Sequence, residues 1–169
     1  MSIIKALKTA IAFEVEVRGV YAEAVKRATD PVGRRVFALL ASEEQNHVRY
    51  LEGKLADFAR TGKVVPGEVR TALPKKVAIA AKVRELKKGV APAAGAAEVE
   101  MLARAFEMEQ ETSAFYRRMV AELDAEGQAF FRPFVEIEEG HLALVGAEKD
   151  AVAGFGYWFD MPEFDLEAG

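Results

Sequence analysis

The stretch Glu136-Ile137-Glu138-Glu139-Gly140-His141 places a glutamate and a histidine three positions apart inside a helical pattern. The same spacing occurs upstream in Ser42-Glu43-Glu44-Gln45-Asn46-His47, and His47 and His141 are the only two histidines in the chain. Residues three apart share one face of a helix, so each pair directs a carboxylate and an imidazole toward a common point. This is the geometry of a pair of metal ligands.

Both pairs interrupt an apolar stripe along a predicted helix. In the downstream copy, Phe134 and Val145 occupy the heptad positions on either side of Glu138 and His141, and the upstream copy has leucines at its flanking positions. The stripe is the face that a helical bundle buries, so the two pairs are predicted to point inward. The neighbouring Glu43 and Glu139 fall outside this stripe. We expect them to be solvated or to lie behind the ligands.

Two further glutamates lie in predicted helical seams, and each is followed seven residues later by a tyrosine. Glu14 precedes Tyr21, and Glu109 precedes Tyr116 at an offset of 95 residues. The two Glu-x-x-His pairs are related by an offset of 94, and the one-residue difference can be absorbed in a turn. The chain therefore contains an internal repeat, which predicts two similar helical hairpins around one central point.

The order of the predicted elements follows from apolar periodicity and from proline and glycine positions. Asp30 is a predicted N-cap, and Pro31 suits a first helical position. Pro133 is awkward for a long fourth helix, so that helix either starts late or kinks there. The predicted segments are a helix over 2–28, a helix from 31 to about 60, a crossover over about 62–95 with a short basic helix at 74–88, a helix over 96–123, and a helix ending near 154.

Composition limits the class of protein. The 169 residues are 51% hydrophobic, which suits one domain, predicted over 1–154. With no cysteine, the chain has no disulfides, zinc–thiolate sites or thiol catalysis. We found no targeting or membrane-spanning segment, so we expect a cytoplasmic protein without a membrane partner. A net charge of −4 gives no reason to expect nucleic acid binding.

The last segment, 155–169, is an aromatic and acidic tail. It includes Phe155, Tyr157, Trp158 and Phe159, which would form an adhesive patch if they stayed in water. We expect this tail to dock on the bundle, with the basic crossover as one candidate surface, or on a partner subunit.

A purely structural polar seam is the alternative to a metal site. Burying one ionised carboxylate costs several kcal/mol, so four would cost on the order of 10 kcal/mol or more. That is comparable to a domain's whole stability of roughly 5–15 kcal/mol. One glutamate from each of two helices and one Glu-x-x-His from each of the other two is instead the ligand set of four-helix proteins that hold two metal ions.

These residues resemble the ferritin-like di-iron carboxylate superfamily, and the paired Glu-to-Tyr spacing is most similar to rubrerythrin-like proteins. The resemblance implies an all-α, ferritin-like antiparallel four-helix bundle of two hairpins joined by the long crossover. It also implies terminal ligands Glu14 and Glu109, bridging ligands Glu44 and Glu138, and one histidine, His47 or His141, for each metal ion. No rubredoxin-like cysteine site is present in the sequence.

The resemblance also implies that Tyr21 and Tyr116 orient ligand carboxylates and serve catalysis, with ordinary core packing as the alternative. Rubrerythrins carry a further carboxylate one turn after the third-helix ligand, where this sequence has Thr112. Spacing alone leaves open whether Glu107 or Glu111 replaces it.

The implied function is a di-iron peroxidase for oxidative-stress defence. It would reduce peroxide with electrons from an external donor protein and act as a homodimer or larger homo-oligomer. Two iron ions are expected, with manganese or a mixed pair as alternatives. The alternative functions are a ferroxidase or other di-iron oxidase that uses dioxygen, an iron-binding protein, and a non-catalytic metal or redox sensor.

Overall fold

The computed structural model describes residues 1–86, 96–155 and 158–159. These residues form five helices and no strands, which confirms the predicted all-α bundle. None of the helices among them is both long enough and apolar enough to cross a membrane. The helices are α1 (Ile3–Arg27), α2 (Pro31–Thr61), α3 (Lys76–Leu86), α4 (Ala96–Glu122) and α5 (Ala125–Phe155).

The ends of α1 and α2 are set by local sequence, as predicted. Asp30 caps α2 by accepting hydrogen bonds from the backbone N–H groups of Val32 at 2.7 Å and Gly33 at 3.2 Å. Pro31 follows at the first helical position, where its missing N–H leaves no donor unpaired. Gly62 ends α2 with a φ of 69°, a left-handed conformation that favours glycine. The three-residue link between α1 and α2 makes them adjacent.

The two hairpins, α1–α2 and α4–α5, pack with α1 against α4. Tyr21 lies opposite Glu109 and Tyr116 lies opposite Glu14, so α1 and α4 run in opposite directions. The backbones of α1 and α4 come closer together than those of α2 and α5. The wider space between α2 and α5 is filled by larger side chains, among them the stacked rings of His47 and His141.

Pro133 does not delay the start of α5. The helix begins at Ala125 and continues through the proline, so the predicted late start is wrong. An interior proline removes one backbone hydrogen bond and costs roughly 3 kcal/mol. Around it, Phe130, Phe131 and Phe134 are all buried in one apolar cluster, and burying a phenylalanine side chain contributes roughly 1.5–3 kcal/mol. Tertiary packing thus outweighs the local penalty.

The crossover runs first along α2. The Tyr50 hydroxyl accepts a hydrogen bond from the Gly67 N–H at 2.9 Å, and Lys54 Nζ donates to the Val65 carbonyl at 2.7 Å. Further on, the Ala72 N–H donates to both carboxylate oxygens of Glu43, at 3.2 and 3.3 Å. The short helix predicted at 74–88 is observed as α3, and residues 87–95 lie outside the described part of the chain.

Two residues of the tail, Trp158 and Phe159, are buried on the bundle. The indole packs edge-on against Phe37 at 5.1 Å between ring centroids and lies directly over Gly33. The Phe159 N–H donates to Glu148 Oε2 at 3.0 Å. These contacts attach the two residues to α2 and α5. The remaining tail positions, 156–157 and 160–169, lie outside the described residues, and the division of the chain at residue 154 stays a prediction.

The position of the Trp158 indole over Gly33 predicts an unusual response to alanine substitution at Gly33. In a helix, Gly→Ala normally stabilises by roughly 0.5–1 kcal/mol. A Cβ on Gly33 would lie 2.4 Å from Trp158 Cε2, so Gly33→Ala is expected to cost roughly 1–3 kcal/mol through overpacking. Gly53→Ala is the matched control on the same helix, because its Cβ would meet nothing within 4 Å.

Chemical denaturation and the fluorescence of the single tryptophan measure both effects. We expect Gly33→Ala to lower the free energy of unfolding and shift the emission to longer wavelength, and Gly53→Ala to raise the free energy without a shift. Equal stabilisation by both substitutions would show that Trp158 does not occupy this seat.

Candidate metal centre

The structure brings together the six side chains that the sequence singled out as metal ligands. Each is at most 1% exposed, although all six are polar or charged. They come from all four long helices: Glu14 from α1, Glu44 and His47 from α2, Glu109 from α4, and Glu138 and His141 from α5.

These six residues form a polar layer between two apolar parts of the core. On one side lies an apolar cluster that contains Tyr21, Phe37 and Trp158. On the other lies a cluster that contains Tyr116 and Phe131. The layer is therefore shielded from water by aromatic and aliphatic side chains at both ends, which strengthens electrostatic interactions inside it.

Glu44 lies at the centre of the layer and contacts both histidines with different oxygens. Its Oε2 is 2.9 Å from His47 Nδ1, and its Oε1 is 2.8 Å from His141 Nδ1. The first contact is a hydrogen bond. The second is within hydrogen-bond distance, but neither atom makes a hydrogen bond, so the pair is not aligned for one.

The remaining carboxylates surround the two histidines. Glu14 Oε2 lies 3.4 Å and Glu138 Oε1 3.6 Å from His47 Nδ1, and Glu109 Oε1 lies 3.9 Å from His141 Nδ1. Two groups result, each with ligand atoms within 4.8 Å of one another, and they share Glu44. One group is Glu14, Glu44, His47 and Glu138, and the other is Glu44, Glu109 and His141.

Each tyrosine of the repeat donates a hydrogen bond to the seam glutamate of the opposite hairpin. The Tyr21 hydroxyl donates to Glu109 Oε1, and the Tyr116 hydroxyl donates to Glu14 Oε1. Both tyrosines are completely buried. The exchange is reciprocal, as an approximate twofold relation between the hairpins requires, and it fixes one oxygen of each carboxylate.

Several buried polar atoms of the layer have no hydrogen-bond partner among the described residues. Carboxylate oxygens without a partner occur on all four glutamates, and Glu138 has two of them. The atoms are Glu14 Oε2, Glu44 Oε1, Glu109 Oε2, and Glu138 Oε1 and Oε2. A buried charged group without a partner is strongly unfavourable, and metal coordination is one of the few ways to satisfy it.

Burial raises the pKa of three of the four carboxyl groups in the layer, those of Glu14, Glu109 and Glu138. It raises the pKa of Glu14 to about 7, and the negative charge of Glu44 adds to the effect. Burial also raises the pKa of Glu109 to about 7, although His141 opposes the rise. The pKa of Glu138 lies well above its usual range because of burial and the charges of Glu14 and Glu44.

Glu44 and the histidines shift in the opposite sense, toward their charged forms. Burial would raise the pKa of Glu44, but His141 and His47 outweigh it and hold that pKa below its usual range. Burial would lower the pKa of both histidines, but Glu44, together with Glu14 at His47 and with Glu109 at His141, outweighs it and raises both pKa values. Without metal, protons on the histidines and on some of the carboxyl groups therefore reduce the negative charge of the layer.

Comparison with known protein families gives a match to the rubrerythrin model over residues 5–149. The chain belongs to the rubrerythrin family. Comparison with curated proteins and with solved structures gave no significant match. The rubrerythrin match covers all six buried Glu and His residues, and the family together with this cluster fits a di-iron protein.

The buried layer gains no carboxylate from Glu107 or Glu111 of α4. Glu107 and Glu111 are both exposed, so neither replaces the family's additional ligand. Thr112 is buried at that position, and its hydroxyl donates to the Met108 carbonyl at 3.0 Å. The four glutamates and two histidines are therefore the acidic and imidazole groups that the described helices offer to the layer, apart from Glu43.

The two off-seam glutamates behave differently from each other. Glu139 remains partly exposed and pairs with Lys76 and Arg117 at 3.6 and 3.8 Å. Glu43 is only 4% exposed, so of the two expected positions, in solvent or behind the ligands, it takes the second. It is buried because the crossover covers it and donates the Ala72 N–H to it. Its carboxylate also lies within 4.8 Å of ring nitrogens of His47 and His141.

The direction of the pKa shifts predicts opposite pH dependences with and without metal. Folded Glu14 and Glu109 keep their protons to about pH 7, whereas an unfolded glutamate loses its proton near 4.5. Between these values the folded metal-free chain binds more protons, so its free energy of unfolding falls as pH rises, by at most about 1.4 kcal/mol per pH unit for each group. The depressed pKa of Glu44 acts only below this window.

Metal loading should reverse this trend, because ligands must lose protons to bind a metal ion. At a fixed metal concentration we expect stability to rise between pH 5 and 7. Thermal denaturation of both forms over this range is the measurement. A metal-free protein that becomes more stable from pH 5 to 7 would contradict the buried, protonated cluster.

Proposed function

We propose that this chain is a di-iron peroxidase that reduces hydrogen peroxide with electrons from an external donor protein. One observation carries the proposal: four buried glutamates and two buried histidines surround a common point in a protein of the rubrerythrin family. A ferroxidase or dioxygen-dependent oxidase, and a non-catalytic metal or redox sensor, are the outcomes that the experiment below distinguishes.

In this proposal Glu14 and Glu109 are terminal ligands, one for each iron, and His47 and His141 complete the two sets. Glu44 and Glu138 would be shared by both ions. The bridging role of Glu44 is supported by its two oxygens, which contact Nδ1 atoms of different histidines at 2.9 and 2.8 Å. The same contacts favour Nδ1 as the nitrogen through which each imidazole would hold its ion.

The choice of iron rests on ligand chemistry. Carboxylates are hard ligands, and with two imidazoles they suit Fe(II) or Mn(II) better than soft metals. Four carboxylates also balance the charge of two divalent ions. A pair of Fe(II) ions held there would supply the two electrons that reduce an O–O bond. Manganese, alone or with iron, is the alternative occupant.

The chain's own residues orient the ligands and exclude bulk water. Tyr21 and Tyr116 hold Glu109 and Glu14 by hydrogen bonds to one oxygen, and the second oxygen of each carboxylate has no hydrogen-bond partner among the described residues. The phenol protons lie at these carboxylates, so each tyrosine stabilises the charged form of its partner. Burial raises the pKa of both phenols, which keeps them protonated.

Electrons are proposed to come from a separate donor protein. The 169 residues contain no cysteine, so an iron–thiolate centre cannot form within them. Association into a homodimer or larger homo-oligomer, which membership of the family suggests, stays a prediction.

Stopped-flow mixing of the reduced, iron-loaded protein with hydrogen peroxide and, separately, with dioxygen tests the reaction. We expect peroxide to oxidise the iron at least roughly tenfold faster than dioxygen at equal concentration, a difference of about 1.4 kcal/mol in activation free energy. Faster oxidation by dioxygen would favour the oxidase or ferroxidase. Slow oxidation by both would favour the sensor.

Removal of either buried phenol should weaken the centre. Loss of a group that orients a metal ligand typically costs roughly 10–100-fold in metal affinity or activity. We expect Tyr21→Phe and Tyr116→Phe each to show a loss of this size, measured by iron titration and by the rate with peroxide. Tyr50→Phe is the control, because the Tyr50 hydroxyl bonds only to the Gly67 backbone. An equal effect in all three variants would contradict the orienting role.

A further inference from the structure

Glu43 is a buried glutamate beside the candidate metal centre, and it is not one of the six proposed ligands. It is 4% exposed and immediately precedes Glu44 on α2. One of its carboxylate oxygens lies within 4.8 Å of a nitrogen of His47 and of a nitrogen of His141. In the part of the chain that the structure describes, no other acidic residue outside the six belongs to such a group. A charge on Glu43 is therefore close enough to act on both imidazoles.

The crossover holds the Glu43 side chain in this position. The Ala72 N–H donates to both of its oxygens, at 3.2 and 3.3 Å. Both oxygens are acceptors in this contact, which is the behaviour of an ionised carboxylate. The contact also keeps the carboxylate beside the layer, because a side chain that is 4% exposed has little water around it. Its negative charge is thus fixed next to the histidines.

Each histidine has a second ring nitrogen that the proposed ligand set does not use. Nδ1 of both His47 and His141 contacts Glu44, whereas Nε2 of both rings is buried without a hydrogen-bond partner among the described residues. The free N–H of an imidazole that holds a metal ion commonly donates to a carboxylate, which orients the ring and makes it a more basic ligand. Glu43 is a carboxylate in reach for this role, since a small rotation or one bridging water closes a gap of this size.

The charge of the layer depends on the oxidation state of the metal pair. Four ionised carboxylates balance two divalent ions, so the reduced centre would be neutral overall. Oxidation to two trivalent ions removes two electrons and leaves two positive charges uncompensated. In a site shielded from water such charge is costly. A further carboxylate beside both histidines offsets part of this charge and so stabilises the oxidised state more than the reduced state.

The internal repeat does not provide a second carboxylate of this kind. At the offset of 94 residues, Glu43 corresponds to Ile137. The acid next to the α5 ligand is instead Glu139, whose side chain is 35% exposed and pairs with Lys76 and Arg117 at 3.6 and 3.8 Å. The charge of an exposed, paired group is largely screened. Glu43 and Glu139 thus both adjoin a proposed shared ligand in sequence, and they differ in burial and in distance from the histidines.

We propose that Glu43 lowers the reduction potential of the metal pair, as a positioning residue that acts through His47 and His141. The inference rests on the metal centre of the proposed function and not on the choice of peroxide as its substrate. A lower potential makes the reduced centre a stronger reductant toward an O–O bond. The crossover takes part in this tuning, because its Ala72 N–H fixes the carboxylate.

Three substitutions test the proposal in the iron-loaded protein. Glu43→Gln removes the charge but keeps the size of the side chain and an oxygen that accepts the Ala72 N–H. Glu43→Asp keeps the charge and shortens the side chain. Glu139→Gln is the matched control, because it removes the same charge from the exposed neighbour of Glu138. Each protein is titrated without dioxygen in the presence of redox mediators, and the midpoint potentials are compared.

We expect Glu43→Gln to reduce the preference for the trivalent over the divalent ion at least roughly tenfold, a rise of about 59 mV in the midpoint potential of a one-electron step. Glu43→Asp should show less than half of this rise, and Glu139→Gln should stay close to the wild type. Equal potentials in the wild type and Glu43→Gln, or equal rises in both glutamine variants, would overturn the proposal.

Calorimetric titration with Mn(II), without any oxidant, separates tuning from ligation. We expect the wild type and all three variants to bind two ions per chain, because none of them lacks a proposed ligand. Loss of one ion in Glu43→Gln alone would overturn the proposal, since Glu43 would then be a ligand itself. A wild type that binds neither iron nor manganese would instead contradict the proposed function, and the inference would fall with it.

Discussion

Four carboxylates buried at one point need positive charge, and this requirement organises the protein. Each of the four is at most 1% exposed, and the cost of burying them as free anions is comparable to the stability of a domain. In the chain alone, protons and two imidazoles supply the charge, which explains why the pKa values of Glu14 and Glu109 rise to about 7 while that of Glu44 falls. Two divalent cations would supply it without protons.

The bundle is built so that this charge is enclosed from both ends. One apolar cluster includes Phe37 and the indole of Trp158, and the other includes Phe131. The tyrosines donate across the bundle, Tyr21 to Glu109 and Tyr116 to Glu14, so each hairpin orients a carboxylate of the other. The polar layer thereby joins the two hairpins, while the crossover covers the side where the α2 and α5 backbones are farther apart.

Much of this arrangement could be predicted from sequence because it is periodic. The Glu-x-x-His pairs and the seam positions of Glu14 and Glu109 follow from helical spacing, and Asp30 and Pro31 follow from the chemistry of helix ends. The alternatives that the sequence left open were decided by tertiary contacts. Glu43 lies off the seam, and it is buried only because the crossover returns to it. Pro133 breaks the local rule, and the phenylalanines packed around it sustain the helix.

The account therefore depends on whether this layer holds two metal ions. The most direct measurement is anomalous scattering from crystals of the metal-loaded protein, collected at the iron and manganese absorption edges. The account predicts two peaks between Glu44 and Glu138, one beside His47 and one beside His141, with iron as the main element. A single peak, peaks elsewhere on the chain, or none at either edge would contradict it.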